Sequence, residues 1–296
     1  MKDGRNWFDP RFGKVPARFV GRDDVLRDIE ATLEDERVVI ITGIRGSGKT
    51  AILTEARGIA DSDAIIFDNA GRDVPGLIEF LEEYKTLEEH SVAPMLIIAG
   101  QPQAIDELLK DEELAYLRQI RRLTLGNVRD DEVFALYKRA FEEEISRGNR
   151  ETALKALRRA AEATDGHPYL IQLIGYYLSR EEKQIDDKAV DKAVFLAKIE
   201  LYKNIHEPLV WAQSSKDRVF LWAMAQDEGA SEFGEIAKRM GVSTGYASKY
   251  RERLINAGII FRSAYGKLAF TLPYMRDYIE KEYIERLGGE GGKRRL

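Results

Sequence analysis

The sequence contains no cysteine and only three histidines in 296 residues. The lack of cysteine excludes disulfides, thiolate catalysis and cysteine-based zinc sites, and the scattered histidines have no metal-ligand spacing. Long apolar runs are also absent. The apolar stretches have the length of strands, and residues 1–16 lack the apolar core of a signal peptide. We therefore expect a cytoplasmic protein with neither a structural metal nor a membrane partner.

Composition and charge then set the broad class. Apolar residues make up 44% of the chain and charged residues 33%, which is the balance of a folded, soluble protein with two or three domains. Residues 1–215 carry 31 basic and 40 acidic groups, whereas residues 216–296 carry 15 basic and 11 acidic groups. The resulting charge of +4 permits a C-terminal domain that faces nucleic acid, but it also fits an ordinary solvated surface.

Short apolar runs alternate with helical patterns in the first 128 residues. The predicted strands are Val38–Thr42, Ala64–Phe67, Met95–Ala99 and Arg122–Leu125. Helices are predicted over Lys49–Ile59 and from Pro75 onward, where proline suits the first helical turn. This alternation indicates an α/β fold with a parallel sheet and a site at the carboxyl ends of the strands.

Two further patterns follow. Helical periodicity without strands marks Ala135–Ile145, Ala153–Ala163, Tyr169–Leu178 and Asp187–Tyr202. Beyond residue 216, helices are predicted over Val219–Ala225, Phe233–Met240, Thr244–Ala257 and Met275–Tyr283, and a hairpin over Ile259–Phe261 and Lys267–Thr271. A helix-turn-helix followed by a hairpin is typical of a winged helix. Residues 288–296 are glycine-rich with a basic end, which predicts disorder.

A glycine-rich loop joins the first predicted strand to its helix. Its sequence, Gly43-Ile44-Arg45-Gly46-Ser47-Gly48-Lys49-Thr50, fits G-x-x-x-x-G-K-[ST] without mismatch. Glycines allow backbone N–H groups to surround phosphates, and the helix that follows presents its positive dipole end. The motif predicts binding of ATP or ADP with Mg²⁺, Lys49 reaching the β- and γ-phosphates and the Thr50 hydroxyl coordinating the metal. A fortuitous glycine-rich turn is the alternative.

A carboxylate for the magnesium site follows the second predicted strand. Asp68 is the candidate ligand, although an aspartate here could instead cap the next turn. Asn69 follows it. An amide can hold a water molecule but cannot accept its proton, so the sequence predicts slow hydrolysis, with ATP acting as a switch ligand.

With these residues the chain resembles the AAA+ and STAND P-loop ATPases that carry a C-terminal winged helix, a group related to archaeal-type ATPases and origin recognition initiators. Phe19-Val20-Gly21-Arg22 looks like the opening box that lies against adenine and ribose, and Gly43–Thr50 like the Walker A motif. Ile65–Asp68 is similar to the Walker B strand. Gln101 stands at the sensor 1 position, and Gly166-His167-Pro168 matches the G-x-P element of the lid.

The resemblance covers nearly the whole chain and implies its organisation. It implies a P-loop ATPase core over residues 1–128, an all-helical lid domain over 129–210, and a winged-helix domain over 211–287. The implied nucleotide-binding residues are Phe19, Val20, Gly21, Arg22, Gly43, Ile44, Arg45, Gly46, Ser47, Gly48, Lys49, Thr50, Ala51 and Pro168. The implied catalytic residues are Lys49, Asp68, Asn69 and Gln101.

The core departs from the family pattern in its length. Only 19 residues separate Lys49 from Asp68, whereas the family inserts a further strand and helix between these motifs. We expect that an edge strand is missing and that the Walker B strand forms the new sheet edge. Alternatively, Ala64–Phe67 is the intervening strand and Walker B has been lost.

Three arginines lie where AAA+ proteins place an arginine finger that reaches a neighbouring subunit: Arg118, Arg121 and Arg122. A homo-oligomer would follow from that assignment. The other interpretation is a positively charged helix end, which the helix dipole favours.

The third helix of the winged helix and its wing supply candidate contacts to double-stranded DNA. They are Ser243, Thr244, Tyr246, Ser248, Lys249 and Arg251 on the helix, and Arg262 and Lys267 on the wing. The alternative is a winged helix that docks a protein or the ATPase core. The sequence thus predicts a nucleotide-dependent switch that binds DNA, or else a nucleotide-bound scaffold that recognises a protein.

Overall fold

The structure is a computed structural model that describes residues 7–11, 14–15, 21–61, 63–90, 92–181 and 184–287. The chain divides into two units, Met1–Ala197 and Lys198–Leu296. The predicted boundary between core and lid, at residue 128, falls inside the first unit. None of the helices within the described ranges combines the length and apolarity needed to cross a membrane.

The first unit contains a four-stranded parallel sheet in the order β2-β3-β1-β4. Its strands are β1 (Val38–Gly43), β2 (Ile65–Phe67), β3 (Leu96–Gly100) and β4 (Arg122–Leu125). Every residue of β1 and β3 is buried, as expected for central strands covered on both faces. The predicted parallel α/β core is thereby confirmed. Strand β2 forms one edge of this sheet and pairs with β3.

Helices cover both faces of the sheet. The helices α1 (Asp23–Glu36) and α2 (Lys49–Ala56) lie on one face, where Ile29 and Ile52 pack with Val39 and Ile41. The other face is covered by α3 (Leu77–Glu89), α4 (Pro102–Leu108) and a 3₁₀ helix (Ala115–Gln119). Alternate residues of β1 point to opposite faces, so one short apolar run supplies both cores.

The predicted start of α3 at Pro75 is wrong. The helix begins at Leu77, because Gly76 has φ 75° in the left-handed region, which an α-helix does not contain. Pro75 therefore stands in the turn before the helix.

Five helices follow the sheet: α5 (Asp130–Ala140), α6 (Glu142–Arg147), α7 (Arg150–Glu162), α8 (Pro168–Leu178) and α9 (Asp187–Leu201). The single helix predicted over Ala135–Ile145 is two helices, because Phe141 leaves helical geometry at φ −111° and ψ 25°. Helix α7 starts where the Asn149 side chain accepts a hydrogen bond from the Thr152 N–H. Pro168, which lacks an N–H, suits the first turn of α8.

The second unit contains a π-helical turn (Tyr202–His206) followed by α10 (Glu207–Trp211), α11 (Ser215–Ala225), α12 (Phe233–Arg239), α13 (Thr244–Asn256) and α14 (Met275–Leu287). Its antiparallel sheet has the order β5-β7-β6, with β5 (Ser231–Glu232), β6 (Ile260–Ala264) and β7 (Lys267–Phe270).

An ion pair joins two of these helices. Asp217 on α11 is buried, and the guanidinium of Arg253 on α13 lies 2.7 Å from its carboxylate. Ser214 donates to the second oxygen of the same carboxylate and caps α11. A buried charge is tolerated when it is paired and hydrogen-bonded in this way, so the contact fixes α13 against α11.

Candidate functional site

The loop between β1 and α2 depends on its glycines. Gly46 and Gly48 have φ values of 81° and 90°, which only glycine adopts at little cost. The Ser47 hydroxyl packs against Gly43, because the absence of a side chain at Gly43 leaves room for it. A Cβ at this position would overlap the hydroxyl. The glycines of the motif thus serve two purposes, backbone conformation and close packing.

The ammonium group of Lys49 lies across this loop. Its Nζ donates to the carbonyl oxygens of Gly43 at 2.9 Å and Ile44 at 3.1 Å. Burial lowers the pKa of Lys49 to about 8, although the charge of Asp68 opposes this shift. A buried cation whose hydrogen bonds go to two carbonyl oxygens is suited to receive an anionic ligand.

Thr50 and Asp68 meet at the end of β2. The Thr50 hydroxyl donates to one carboxylate oxygen of Asp68 at 2.6 Å, and the Asn69 N–H donates to the other at 2.8 Å. Asn69 has φ 57°, a conformation that asparagine accepts more readily than most residues. Sequence positions 18 residues apart are thereby brought into contact.

These oxygens fit a magnesium ion. Mg²⁺ prefers hard oxygen ligands and is commonly held by one or two protein groups together with phosphates and water. A hydroxyl and a carboxylate in contact match that donor set. The described residues contain no cluster of three or more histidine, aspartate or glutamate side chains that could hold a metal without a ligand.

A cavity of about 690 Å³ opens beside the loop, within the size range of small-molecule sites. The predicted residues that line it are Arg22, Arg45, Gly46, Ser47, Gly48, Lys49, Thr50, Ala51, Asp68, Asn69, Gln101 and Pro168. Gly21, Gly43 and Ile44 are not among its lining residues. Phe19 and Val20 lie outside the described residues. The structure thus brings twelve of the seventeen predicted nucleotide-binding and catalytic residues to one cavity.

Ser47 contributes a polar atom to the buried part of the loop. The residue is 2% exposed, and its hydroxyl has no hydrogen-bond partner among the described residues. The hydroxyl lies beside Gly43, which does not line the cavity, so it fills space within the loop rather than facing a ligand.

Arg22, which precedes α1, hydrogen-bonds to the phosphate-binding loop. Its Nη2 donates to the carbonyl of Ser47 at 3.2 Å and to that of Gly126 at 2.6 Å. Burial lowers the pKa of the guanidinium. Besides lining the cavity, Arg22 therefore fixes the position of the loop backbone, a role that the resemblance did not imply.

The Gly166-His167-Pro168 element contacts the loop through its central residue. His167 is fully buried, and its Nε2 lies 3.0 Å from the carbonyl oxygen of Arg45. Because a carbonyl only accepts, Nε2 carries the proton. Burial lowers the pKa of His167 to about 4. Gly166 has φ 62° and packs so closely that a Cβ would overlap the Val128 carbonyl.

Several cavity residues carry no local sequence signal. The N-terminal residues Asp9, Pro10, Arg11 and Lys14 line it together with Val128, Leu136, Tyr169, Ile171 and Gln172. The apolar members fit a helical core pattern, which does not distinguish a ligand site from ordinary packing.

The three candidate finger arginines are engaged within their own unit. Arg118 donates to the carbonyls of Leu109 and Asp111 after α4. Arg121 pairs with an aspartate on α1 at 3.5 Å, and Arg122 with one on α4 at 2.6 Å. The Arg118 contacts fit the interpretation of a cation near a helix end, whereas Arg121 and Arg122 are paired with carboxylates.

The candidate nucleic-acid residues lie on α13 and the hairpin of the second unit. Ser243 caps α13, Thr244 is exposed, and the Ser248 hydroxyl donates to the Thr244 carbonyl. Lys249 lies 3.9 Å from the centre of the Tyr246 ring, a cation–π contact.

Two glutamates pair with the other three candidate cations. Glu252 pairs with both Arg251 and Arg262 at 2.8 Å, and Glu232 pairs with Lys267 at 3.3 Å. The guanidinium of Arg251 also stacks over a phenylalanine ring of α12. Two of the four positive charges among the candidate residues are therefore compensated.

The parallel sheet, with its glycine-rich loop between β1 and α2, matches a P-loop NTPase fold. The chain is similar to the Walker-type ATPase PABY2304 of Pyrococcus abyssi, with 15% identity, a TM-score of 0.64, and coverage of 88% of this chain and 95% of that one. It is also similar to the ORC2 protein of Aeropyrum pernix, solved as ADPNP–ADP complexes, with 12% identity, a TM-score of 0.60, and coverage of 94% and 98%. At these identities the likeness establishes the fold.

Sequence comparison adds one match. Residues 203–279 match a family described as a domain of unknown function (DUF8462). No curated protein matches the chain at a significant level.

Proposed function

We propose that the protein binds ATP and ADP with Mg²⁺ and acts as a nucleotide-dependent switch. The observation that carries this proposal is the 2.6 Å contact between Thr50 and Asp68 beside the loop ammonium of Lys49. Lys49 would hold the β- and γ-phosphates, and Thr50 and Asp68 would hold the metal. The cavity of about 690 Å³ beside the loop supports the same assignment.

Calorimetry with Mg-ATP and Mg-ADP tests the proposal directly. We expect micromolar binding of both nucleotides, and weaker binding of ATP when EDTA removes the metal. If neither nucleotide binds the wild-type chain, the proposal is wrong.

The same proposal assigns three parts to the chain. A shortened ATPase core covers residues 1–128, a helical lid 129–210 and a winged helix 211–287. The edge position of β2, with Asp68 directly after it, supports a core that lacks one strand. The helices α12 and α13 and the β6–β7 hairpin support the winged helix. In this STAND-like arrangement, Pro168 would contact the nucleotide and report its presence to the rest of the chain.

Hydrolysis is expected to be slow, because Asn69 stands where a base would activate water. Wild-type turnover should stay below about 1 per second. Asn69→Glu should raise turnover at least about threefold, since a positioned general base contributes roughly 10²–10⁴ and the left-handed backbone costs a glutamate about 1–2 kcal/mol, a factor of about 5–30. Phosphate release at saturating Mg-ATP measures the change.

Asn69→Gln is the matched control, because it has the length of glutamate without a base. We expect it to hydrolyse ATP no faster than wild type. Equal turnover in the two variants would show that a missing base does not limit hydrolysis.

The winged helix has two candidate partners. Double-stranded DNA is the first, with α13 entering the major groove and its affinity set by the bound nucleotide. A protein is the second, and the pairing of Glu252 and Glu232 with the candidate cations favours it. Exposed aromatic residues on the hairpin, Phe261 and Tyr265, also suit a protein surface.

Glu252→Gln separates the two candidates by releasing Arg251 and Arg262. If α13 and the hairpin face DNA, the variant should bind duplex DNA about tenfold more tightly at low salt. The slope of log K against log salt should become steeper by about 0.9 for each new phosphate contact. Fluorescence anisotropy with labelled duplex at several salt concentrations measures both.

Glu280→Gln provides the same change of charge on α14, where its partner is Arg276. We expect little effect on DNA binding from this control. If neither wild type nor Glu252→Gln binds duplex DNA with Mg-ATP or Mg-ADP, the DNA candidate is wrong and a protein partner remains.

A further inference from the structure

Residues 7–11, here called the N-terminal strap, are anchored on the helices of the first unit. Phe8 is 1% exposed. Its ring stacks on Phe141 with centroids 5.8 Å apart and meets Tyr137 edge-on at 5.6 Å. Gly175 on α8 makes room for this ring, because a Cβ there would overlap it. A single aromatic side chain thus fixes the strap in a fitted pocket.

Beyond this anchor the strap reaches the cavity. The Asp9 N–H donates to the Gln172 side chain at 3.0 Å, and the Arg11 side chain donates to the Asp9 carboxylate at 2.8 Å. This hydrogen bond from Arg11 lowers the pKa of Asp9 to about 2. Asp9, Pro10, Arg11 and Gln172 all line the cavity that also contains Lys49. The strap therefore forms part of the cavity wall.

The charge of the cavity suits an anion. Its lining includes five basic side chains, namely Arg11, Lys14, Arg22, Arg45 and Lys49, against the two acidic side chains Asp9 and Asp68. Two of the basic groups come from the N-terminal segment rather than from the phosphate-binding loop. A polyphosphate would be attracted from both sides.

We propose that the strap belongs to the nucleotide site and slows release of the bound nucleoside di- or triphosphate. Phe8 holds the strap against α8, and Asp9 to Arg11 close the wall of the cavity that the phosphate-binding loop leaves open. The inference rests on the proposed nucleotide binding and assigns a retention role to residues that lie outside the known motifs. Anchoring matters because a segment that is not held in place must be ordered each time a nucleotide binds. That ordering costs conformational entropy and weakens binding.

Gly175→Ala tests the anchor without weakening the helix. Alanine favours a helix interior over glycine by about 1 kcal/mol, but its Cβ would displace the Phe8 ring. Phe8→Ala removes the anchor itself. We expect each variant to release radiolabelled ADP about tenfold faster than wild type in a chase with unlabelled ADP, since changes in affinity appear mostly in the dissociation rate.

The double variant Phe8→Ala/Gly175→Ala should release ADP no faster than Phe8→Ala alone, because the collision needs both side chains. Phe8→Leu, which fills much of the pocket, should release ADP at close to the wild-type rate. Gly234→Ala is the matched control: this glycine lies in α12, and among the described residues no atom beyond its chain neighbours and its own helix backbone lies within 4 Å of its Cβ position. We expect no change in ADP release from that control.

The outcomes separate the strap from the proposed function. If wild type binds no nucleotide, nucleotide binding itself fails. If wild type binds ADP, and Phe8→Ala and Gly175→Ala melt as folded proteins yet release ADP at the wild-type rate, only the strap inference is overturned. Additive effects in the double variant would also overturn it.

Discussion

Replacing Lys49 with alanine is expected to weaken binding of Mg-ATP at least a hundredfold. The ammonium group is buried and hydrogen-bonded only to the Gly43 and Ile44 carbonyls in the described part of the chain, so a phosphate gains a charged partner at this point. Hydrogen bonds to charged groups contribute about 1.5–3 kcal/mol each, and loss of two accounts for the expected change. Calorimetry at equal Mg²⁺ concentrations measures it.

The fold should survive this substitution. Burial lowers the pKa of Lys49, which shows that the folded chain holds the charge at a cost, so its removal should leave the melting temperature the same or higher. Lys110→Ala is the matched control, because Lys110 is exposed and pairs with Glu107 away from the cavity. Binding by Lys49→Ala within threefold of wild type would show that the loop is not the phosphate site.

His167→Gln is expected to remove an acid sensitivity from the first unit. The pKa of His167 is about 4 in the folded chain, against 6.5 for an exposed histidine. Below pH 6.5 the unfolded chain therefore binds a proton that the folded chain does not, and the free energy of unfolding falls until about pH 4. With 1.36 kcal/mol per pKa unit, wild type should lose about 3 kcal/mol across this window.

The imidazole of His167 stays neutral in the folded chain because it is buried. The nearby charge of Lys49 also disfavours its protonation. Glutamine keeps an N–H donor at the distance of Nε2 from the backbone, so it can still reach the Arg45 carbonyl, and it does not titrate. Urea unfolding of both proteins at several pH values from about 7 to 4.5 measures the free energy of unfolding. We expect wild type to lose more of this free energy than His167→Gln as the pH falls.

His90→Gln serves as the control, because His90 is exposed and its ring nitrogen hydrogen-bonds to the Thr86 carbonyl oxygen on the same helix. This variant should retain the acid sensitivity of wild type. If His167→Gln and wild type lose stability in parallel as the pH falls, a residue other than His167 is responsible.

The phosphate-binding loop, the four strands and the helix that follows the loop could be predicted because their signals are local. Glycine spacing reports the backbone conformation directly, and β-branched apolar runs such as Val38–Thr42 are long enough for a buried strand. Asp68 could be predicted because it directly follows such a run. Helix α1 was not predicted, although Val25, Leu26, Ile29 and Leu33 recur at helical spacing and pack on the sheet.

The candidate DNA contacts of the winged helix could not be assigned from local patterns in this way. The net charge of +4 in the C-terminal segment permitted a surface that faces nucleic acid, but it equally fitted an ordinary solvated surface. The structure places Glu252 between Arg251 and Arg262, and Glu232 beside Lys267. Net charge says nothing about which charges are adjacent, so the assignment of these residues to DNA stays a prediction.

The sequence by itself determined the chemistry that depends on neighbours along the chain, namely the loop, the lysine and threonine at its end, and the strands that carry it. Only the tertiary structure decided which distant groups meet. The His167 contact with Arg45 joins positions 122 residues apart, and the Asp9 contact with Gln172 joins positions 163 apart. Such contacts arise where packing of the helices against the sheet places them, and no local pattern encodes that packing.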